Sequence, residues 1–330
     1  MAELRWNPII KDWVMVVSNR AKRPVMPKDY CPFCPGSGKV PEEYTVLKYD
    51  NDFPALSKNP PEEDTPFTEE AKGLYKVAPT YGKCEVILFS PEHNGTIHGL
   101  SREHMRKLVD LWQDRFVDLS SDEKIKYVYI FENRGEAVGV TQPHPHGQIY
   151  GYSFIPKKLE TELASAKEYY EKTGKCLFCD IDAEEKRFGE RVIFENERFI
   201  AYVPFFADYA YGVNISIKGH KSSIARFDDK DKDDLGEIIQ NVTGAYDSLF
   251  DTRFPYMMCM HNAPVNYHEN PDNYYHFHIE MLPPMRGANT QQFRASSESG
   301  AWACCNPSSP ERNAGQIREA LEKYLKGGRK

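Results

Sequence analysis

The residues best suited to chemistry at neutral pH stand together in Gln142-Pro143-His144-Pro145-His146-Gly147-Gln148. In an extended chain side chains two apart share a face, so this spacing directs His144, His146 and Gln148 into one pocket. An imidazole is a competent nucleophile at this pH, and a neighbouring one can bind metal or serve as base. The two prolines lack an N–H and suit a strand edge or start, and Gly147 is expected to let a bulky anionic group approach closely.

Of the eight cysteines, four form two Cys-x-x-Cys pairs, Cys31/Cys34 and Cys176/Cys179. In a chain whose start, Met1 to Asn7, lacks the apolar run of an export signal, such pairs point to metal or redox chemistry before structural disulfides. The landmarks recur in order: Cys-x-x-Cys, a strand running to a histidine (His93, then His220), a helix, a strand ending near asparagine (Asn133, then Asn262), and His-x-His (His144/His146, then His276/His278). This order predicts an internal duplication. Each half then offers four N or S ligands, the number a closed tetrahedral zinc site needs. The two sets are Cys31, Cys34, His93, His144 and, by symmetry, Cys176, Cys179, His220, His276. His146 is left over, one strand step from a metal-fixed neighbour, so the expected zinc ions, two per chain, are structural and His146 is the reactive group. His98, His104 and His268 have no counterpart in the repeat and are assigned to surface or satisfied polar roles.

The elements that must hold these groups can be read from hydrophobic spacing. Trp13 to Val17, Cys84 to Ser90, Tyr127 to Phe131, Val213 to Ile217 and Tyr256 to Met260 read as strands. A helix is expected from Ser101, with Met105, Leu108, Leu111 and Trp112 inward; richness in Lys, Glu and Ala gives a second over about 158–173, and the repeat a third over about 228–250. Residues 51 to about 81, rich in Pro, Glu, Asp and Lys, read as an exposed loop region. The resulting class is α+β with two similar halves, 1–157 and 158–330.

A net charge of -7 argues against a general nucleic-acid binder, which needs a broad basic surface. No apolar run reaches membrane-spanning length, and the expected location is the cytoplasm. One local basic cluster, Asn19-Arg20-Ala21-Lys22-Arg23-Pro24, has the planar guanidinium forks that clamp phosphates.

The runs Phe131-Glu132-Asn133-Arg134-Gly135 and Gln142 to Gln148, together with Asn19 to Pro24, Asn51-Asp52-Phe53, His261-Asn262-Ala263-Pro264 and His276-Phe277-His278, closely resemble the galactose-1-phosphate uridylyltransferase family, a branch of the histidine triad superfamily. The resemblance spans nearly the whole chain. It implies two histidine-triad-like halves, each an antiparallel sheet with flanking helices, usually assembled as a homodimer. It also implies transfer of a uridylyl group from UDP-glucose to galactose 1-phosphate, giving UDP-galactose and glucose 1-phosphate. Carried over by residue, His146 is the nucleophile and Gln148 a hydrogen-bond donor to the phosphoryl oxygens. Val40, Asn51, Asp52, Asn133 and Thr141 are uridylyl contacts, and Arg20 and Arg23 meet phosphates. Gln292, Phe293, Ser297 and Glu298 fall in the segment that binds the sugar, commonly from the partner subunit. Thr141 and Gln142 depart from relatives that have Ser and Asn, and Gln292 stands where some have Lys. Some relatives build the second metal site from a Glu and three His, for which Glu162, His261, His276 and His278 are the counterparts here. The alternative activity is a related nucleotide phosphorylase or adenylyltransferase acting on ADP-glucose or a dinucleoside polyphosphate. A reading from another class is a non-catalytic, zinc-stabilised nucleotide-binding module.

Overall fold

The computed structural model describes residues 2–18, 30–62, 65, 71, 73–140 and 142–327. Arg20, Arg23 and Thr141 lie outside the described residues. The chain runs β1 (Ala2–Asn7), β2 (Asp12–Val17), β3 (Leu47–Asp50), β4 (Val77–Pro79), β5 (Gly82–Leu88), α1 (Arg102–Ser120), β6 (Tyr127–Arg134) and β7 (His146–Tyr152). It continues through α2 (Lys157–Thr173), α3 (Leu177–Phe188), β8 (Val192–Glu195), β9 (Phe199–Tyr202), β10 (Val213–Ile217), α4 (Asp229–Leu249), β11 (Tyr256–His261), β12 (His278–Leu282), β13 (Met285–Gly287), β14 (Thr290–Gln291) and α5 (Pro310–Lys326).

Nine strands make one sheet in the order β3-β5-β7-β6-β11-β12-β10-β9-β8. Its pairings are antiparallel, and β6 meets β11 with Ile130 opposite Met260 and Asn133 opposite Met257. Counted inward, β3-β5-β7-β6 and, inside the added edge strand β8, β9-β10-β12-β11 both follow first, second, fourth, third in chain order. The duplication expected from the landmarks is therefore a duplication of topology, with the third strands of the two halves back to back. The halves share one apolar core instead of keeping two: Trp112 of α1, Ile130, Ile149, Ile215, Ile238 of α4 and Ile317 of α5 all belong to it.

Helix α1 starts where Ser101 accepts a hydrogen bond from His104 N–H, and it buries Met105, Leu108, Val109, Trp112, Phe116 and Leu119 at spacings of three and four. Truncating a residue as large and as buried as Trp112 costs about 3–5 kcal/mol. Helix α4 begins in a capping box between Asp228 and Asp231 and is buried along most of its length. Gly236 and Gly244 allow this, since a Cβ would lie 2.9 Å from Met105 Cγ and 2.6 Å from the Tyr324 ring. Helix α3 was not expected. Cys176-Leu177-Phe178-Cys179 repeats the pattern of Cys31-Pro32-Phe33-Cys34, but without the prolines it opens a helix where the first pair sits in turns.

Candidate active site and metal groups

Strand β7 begins at His146 and pairs with β5, placing Leu88 opposite His146 and Val86 opposite Gln148. Strand β6 closes the other side with Phe131 opposite Gln148. The His146 ring is oriented by its own chain, because Nδ1–H donates to the His144 carbonyl at 2.8 Å. That bond fixes the tautomer that keeps the lone pair on Nε2. Gln148 is oriented as firmly. Its Oε1 accepts from Asn51 Nδ2 at 3.4 Å and from Tyr150 Oη at 3.1 Å, so its amide nitrogen is the end left to donate to a ligand. Val40 is buried with Val86 and Leu88 nearby, and Asp52 accepts from Tyr49 Oη at 2.8 Å and Lys39 Nζ at 2.9 Å. The structure thus joins Asn51 to Gln148 and groups Val40 and Asp52 around the same strands.

Gly147 does not serve the purpose expected of it. A Cβ there would lie 2.8 Å from Phe89 Cζ and 2.9 Å from the Phe131 carbonyl, on the core side of the sheet. Its smallness lets β7 approach its packing partners rather than admitting an anion.

His146 lines a cavity of about 220 Å³ at the ends of β6 and β7, together with Asn133, Arg134, Gln142, His144 and Arg253. Behind it, Arg134 makes a paired contact with Asp247 at 2.7 Å for each nitrogen, and His98 Nε2 reaches the same carboxylate at 2.9 Å. His98 is accordingly a satisfied polar group, as is His104, which donates to the Phe89 carbonyl at 2.8 Å. Beside Arg134, burial pushes the Glu132 carboxyl up to about 7 against the pull of the guanidinium.

The four donors of the first expected metal set converge. Cys31 Sγ lies 3.6 Å from His144 Nδ1, and Cys34 Sγ lies 3.4 Å from His93 Nδ1 and 3.6 Å from His144 Nδ1. In a tetrahedron with bonds of about 2.3 Å to sulfur and about 2.0 Å to nitrogen, an S···N edge is about 3.5 Å, so the donor set fits an ion of that size. Burial, followed by its neighbour Cys31, pushes the Cys34 thiol up to about 11, so a cation is what would hold the thiolate there. His144 Nε2–H is tied to the Ser90 carbonyl at 2.8 Å, and Gln142 Nε2 donates to Cys31 Sγ at 3.0 Å. Such outer bonds fix which ring nitrogen faces the ion.

The second set repeats this geometry. Cys179 Sγ lies 3.4 Å from both His220 Nδ1 and His276 Nδ1, and His276 Nε2–H is tied to the Ile217 carbonyl at 2.7 Å. The set drawn with Glu162, His261, His276 and His278 is not assembled, because His276 turns its Nδ1 to the cysteines. Glu162, His261 and His278 instead gather with Glu280 in a group of their own. Burial opposes the charge on Glu162, yet His261 holds its carboxyl down at about 2. Glu280 was legible in principle, since it follows His278 by the two residues that separate Gln148 from His146. The aromatic residue inside each Cys-x-x-Cys has a matching place. Phe33 packs on His144 and His146 with centroids 6.0 and 5.6 Å away, and Phe178 on His276 and His278 at 6.2 and 4.7 Å.

Gln292, Phe293, Ser297 and Glu298 do not line the His146 cavity. The Gln292 side chain is engaged with backbone, accepting from Ala210 N–H at 3.0 Å and donating to the carbonyls of Asp208 at 2.9 Å and Cys305 at 3.2 Å. Phe293 is 74% exposed, Ser297 Oγ donates to the Ala303 carbonyl, and Glu298 accepts from Ala295 N–H.

A duplicated antiparallel sheet carrying a tautomer-locked histidine at a cavity, an amide donor two residues on and a Cys/His group able to hold a metal behind it fits a nucleotide-handling protein of the group-transfer kind. Residues 1–156 match the model of the galactose-1-phosphate uridyl transferase N-terminal domain and residues 162–298 that of its C-terminal domain. The chain belongs to the galactose-1-phosphate uridylyltransferase family. The galactose-1-phosphate uridylyltransferase of Thermotoga maritima is 41% identical over 97% of this chain and 98% of its own, and that of Saccharomyces cerevisiae is 33% identical over 89% and 88%. A solved uridylyltransferase structure is 30% identical with a TM-score of 0.88, covering 98% of this chain and 99% of that one. An ADP-glucose phosphorylase from Arabidopsis thaliana is 26% identical with a TM-score of 0.75, covering 97% and 98%.

Proposed function

We propose that this chain transfers a uridylyl group from UDP-glucose to galactose 1-phosphate through a covalent intermediate on His146. The carrying observation is the Nδ1–H bond from His146 to the His144 carbonyl, which leaves Nε2 as the nucleophilic atom in a cavity-lining ring. Attack of Nε2 on the α-phosphorus forms a P–N bond, breaks the P–O bond to the β-phosphate and releases glucose 1-phosphate. The ring becomes cationic in that step, and the His144 carbonyl facing Nδ1–H stabilises the charge. Gln148 donates its amide to the phosphoryl oxygens as they rearrange. Galactose 1-phosphate then attacks phosphorus through a phosphate oxygen, the P–N bond breaks, and His146 returns to its starting form. Sugar phosphates leave without a strong acid, which agrees with an amide in the place where an acid would otherwise be wanted.

The two Cys/His groups support zinc at both positions, with thiolate and imidazole ligands and a structural task. Bound there, zinc would tie the Cys31–Cys34 turn to the strand carrying His146. Exposed Phe293 and the segment through Glu298, which do not line this chain's own cavity, support a homodimer in which each copy completes the other's sugar site. The fold shared with ADP-glucose phosphorylase supports a second reading, adenylyl transfer from ADP-glucose. Intact mass after mixing with UDP-glucose or ADP-glucose without acceptor tests both. A uridylyl adduct, acid-labile and base-stable, is expected only with UDP-glucose; an adenylyl adduct alone overturns the base assignment, and no adduct with either overturns the covalent mechanism.

A further inference from the structure

We infer that Arg253, on the turn between α4 and β11 in the second half of the chain, binds the phosphate of the hexose 1-phosphate as it leaves or enters the His146 cavity. The inference rests on the transferase reading and extends it to a residue outside the motifs that carry the family likeness.

Charge accounting singles Arg253 out. Among the described residues two guanidinium groups line the cavity, those of Arg134 and Arg253. Arg134 is neutralised by its paired contact with Asp247 and lies over the Tyr256 ring, 5.4 Å from its centroid. Arg253 donates to the Asn94 carbonyl and, among the described residues, is within ion-pair distance of no carboxylate. An exposed guanidinium anchored by one neutral acceptor keeps donors and full charge for a ligand.

Direction points to the same phosphate. Asn133 borders this cavity beside His146, where the α-phosphate must sit, but Val40, Asn51, Asp52 and Gln148, farther toward the nucleoside, are absent from its wall. The cavity therefore extends from His146 away from them, and the group that follows the α-phosphorus in that direction is the phosphate that departs with the hexose. A hexose 1-phosphate carries close to two negative charges at neutral pH, and a guanidinium answers it with paired donors. The same phosphate is present in both half-reactions, so one residue serves the release of one sugar phosphate and the capture of the next.

The test is the affinity of the intact protein for glucose 1-phosphate and for UMP, measured by titration calorimetry on the wild type, Arg253→Gln and Arg253→Lys. Arg253→Gln is expected to weaken glucose 1-phosphate about tenfold to a hundredfold, the range for one charge-assisted contact. UMP affinity should stay within about twofold, and Arg253→Lys should fall between, since it keeps the charge and loses the fork. Unchanged glucose 1-phosphate binding in Arg253→Gln, or an equal fall for UMP, overturns the assignment. Labelling of the wild type by UDP-glucose is followed in parallel. Its absence sinks the transferase reading itself, whereas normal labelling with unaltered sugar phosphate affinity in Arg253→Gln sinks only the Arg253 contact.

Discussion

His146 and His278 occupy the same place in the two halves and are held by the same hook, Nδ1–H to the carbonyl two residues earlier, at 2.8 and 3.0 Å. Each also has the phenylalanine of its Cys-x-x-Cys packed on it, but the rest of their surroundings differ. His146 lines a cavity, while His278 is buried against Phe178 and lies beside His261, with Glu162 3.9 Å away. Helix α2, which delivers Glu162, covers the second half where the first is left open to ligand. The backbone device was duplicated, and access distinguishes its copies.

Uridylylation is therefore expected to stop at one group per chain. Mapping the adduct by peptide mass after UDP-glucose treatment should place it on His146, His146→Gly should take none, and His278→Gln should keep the full label. A second label on His278, or loss of labelling in folded His278→Gln, would contradict the separation.

The metal groups call for a different response. Cys31→Ser is expected to remove about one zinc equivalent of two and to lower stability by about 4 kcal/mol or more, the scale of losing a structural metal. It should also slow labelling, because Phe33, between Cys31 and Cys34, packs on the His146 ring. Cys176→Ser should lose the other equivalent with labelling nearly intact. Metal analysis with thermal melts and labelling rates decides this; an undiminished zinc content in either variant removes that group from the list of sites.

Glu132 supplies a pH dependence of definite sign. Burial raises its carboxyl from 4.5 to about 7, with Tyr256 Oη donating to it at 3.0 Å. A group whose folded value lies above its unfolded one contributes stability that is complete below the unfolded value and is lost as pH rises through the folded value. At about 1.4 kcal/mol per pH unit over that interval, ionised Glu132 costs about 3 kcal/mol relative to its neutral form. Glu132→Gln should thus be more stable than wild type at pH 8 and about equal to it at pH 4.5. Parallel denaturant titrations at both pH values would show it, and a difference independent of pH would rule out this ionisation as the cause.

Much of this was legible because the sequence repeats. Ordered landmarks predicted both Cys/His sets, apolar spacing predicted the start of α1, and composition and the repeat predicted α2 and α4 with ends close to those observed. What stayed hidden depends on contacts between distant segments. That Gly147 answers to Phe89 and the Phe131 carbonyl, that Asp247 neutralises Arg134, and that Gln142 reaches Cys31 Sγ all need the sheet to exist first. Helix α3 was obscured by reading Cys176-Leu177-Phe178-Cys179 as a copy of a proline-bearing turn. The sharing of one core by both halves has no local signal, since a strand at the β6–β11 joint reads like any other buried strand.

Gln292 separates likeness in sequence from role in place. Its three hydrogen bonds to the backbone of Ala210, Asp208 and Cys305 use the amide to pin the segment before α5 to the segment after β9. Replacing it with alanine leaves the N–H of fully buried Ala210 without its acceptor, a cost of about 1–3 kcal/mol. Gln292→Lys, which restores the residue some relatives have, should be no better, because an ammonium cannot accept from that N–H and would be buried at a site only 8% exposed. Both variants are therefore expected to melt lower than wild type and to exchange the Ala210 amide faster, with any loss of sugar phosphate affinity following from the loosened segment. A variant that melts like wild type yet binds galactose 1-phosphate more weakly would show instead that this amide touches the substrate.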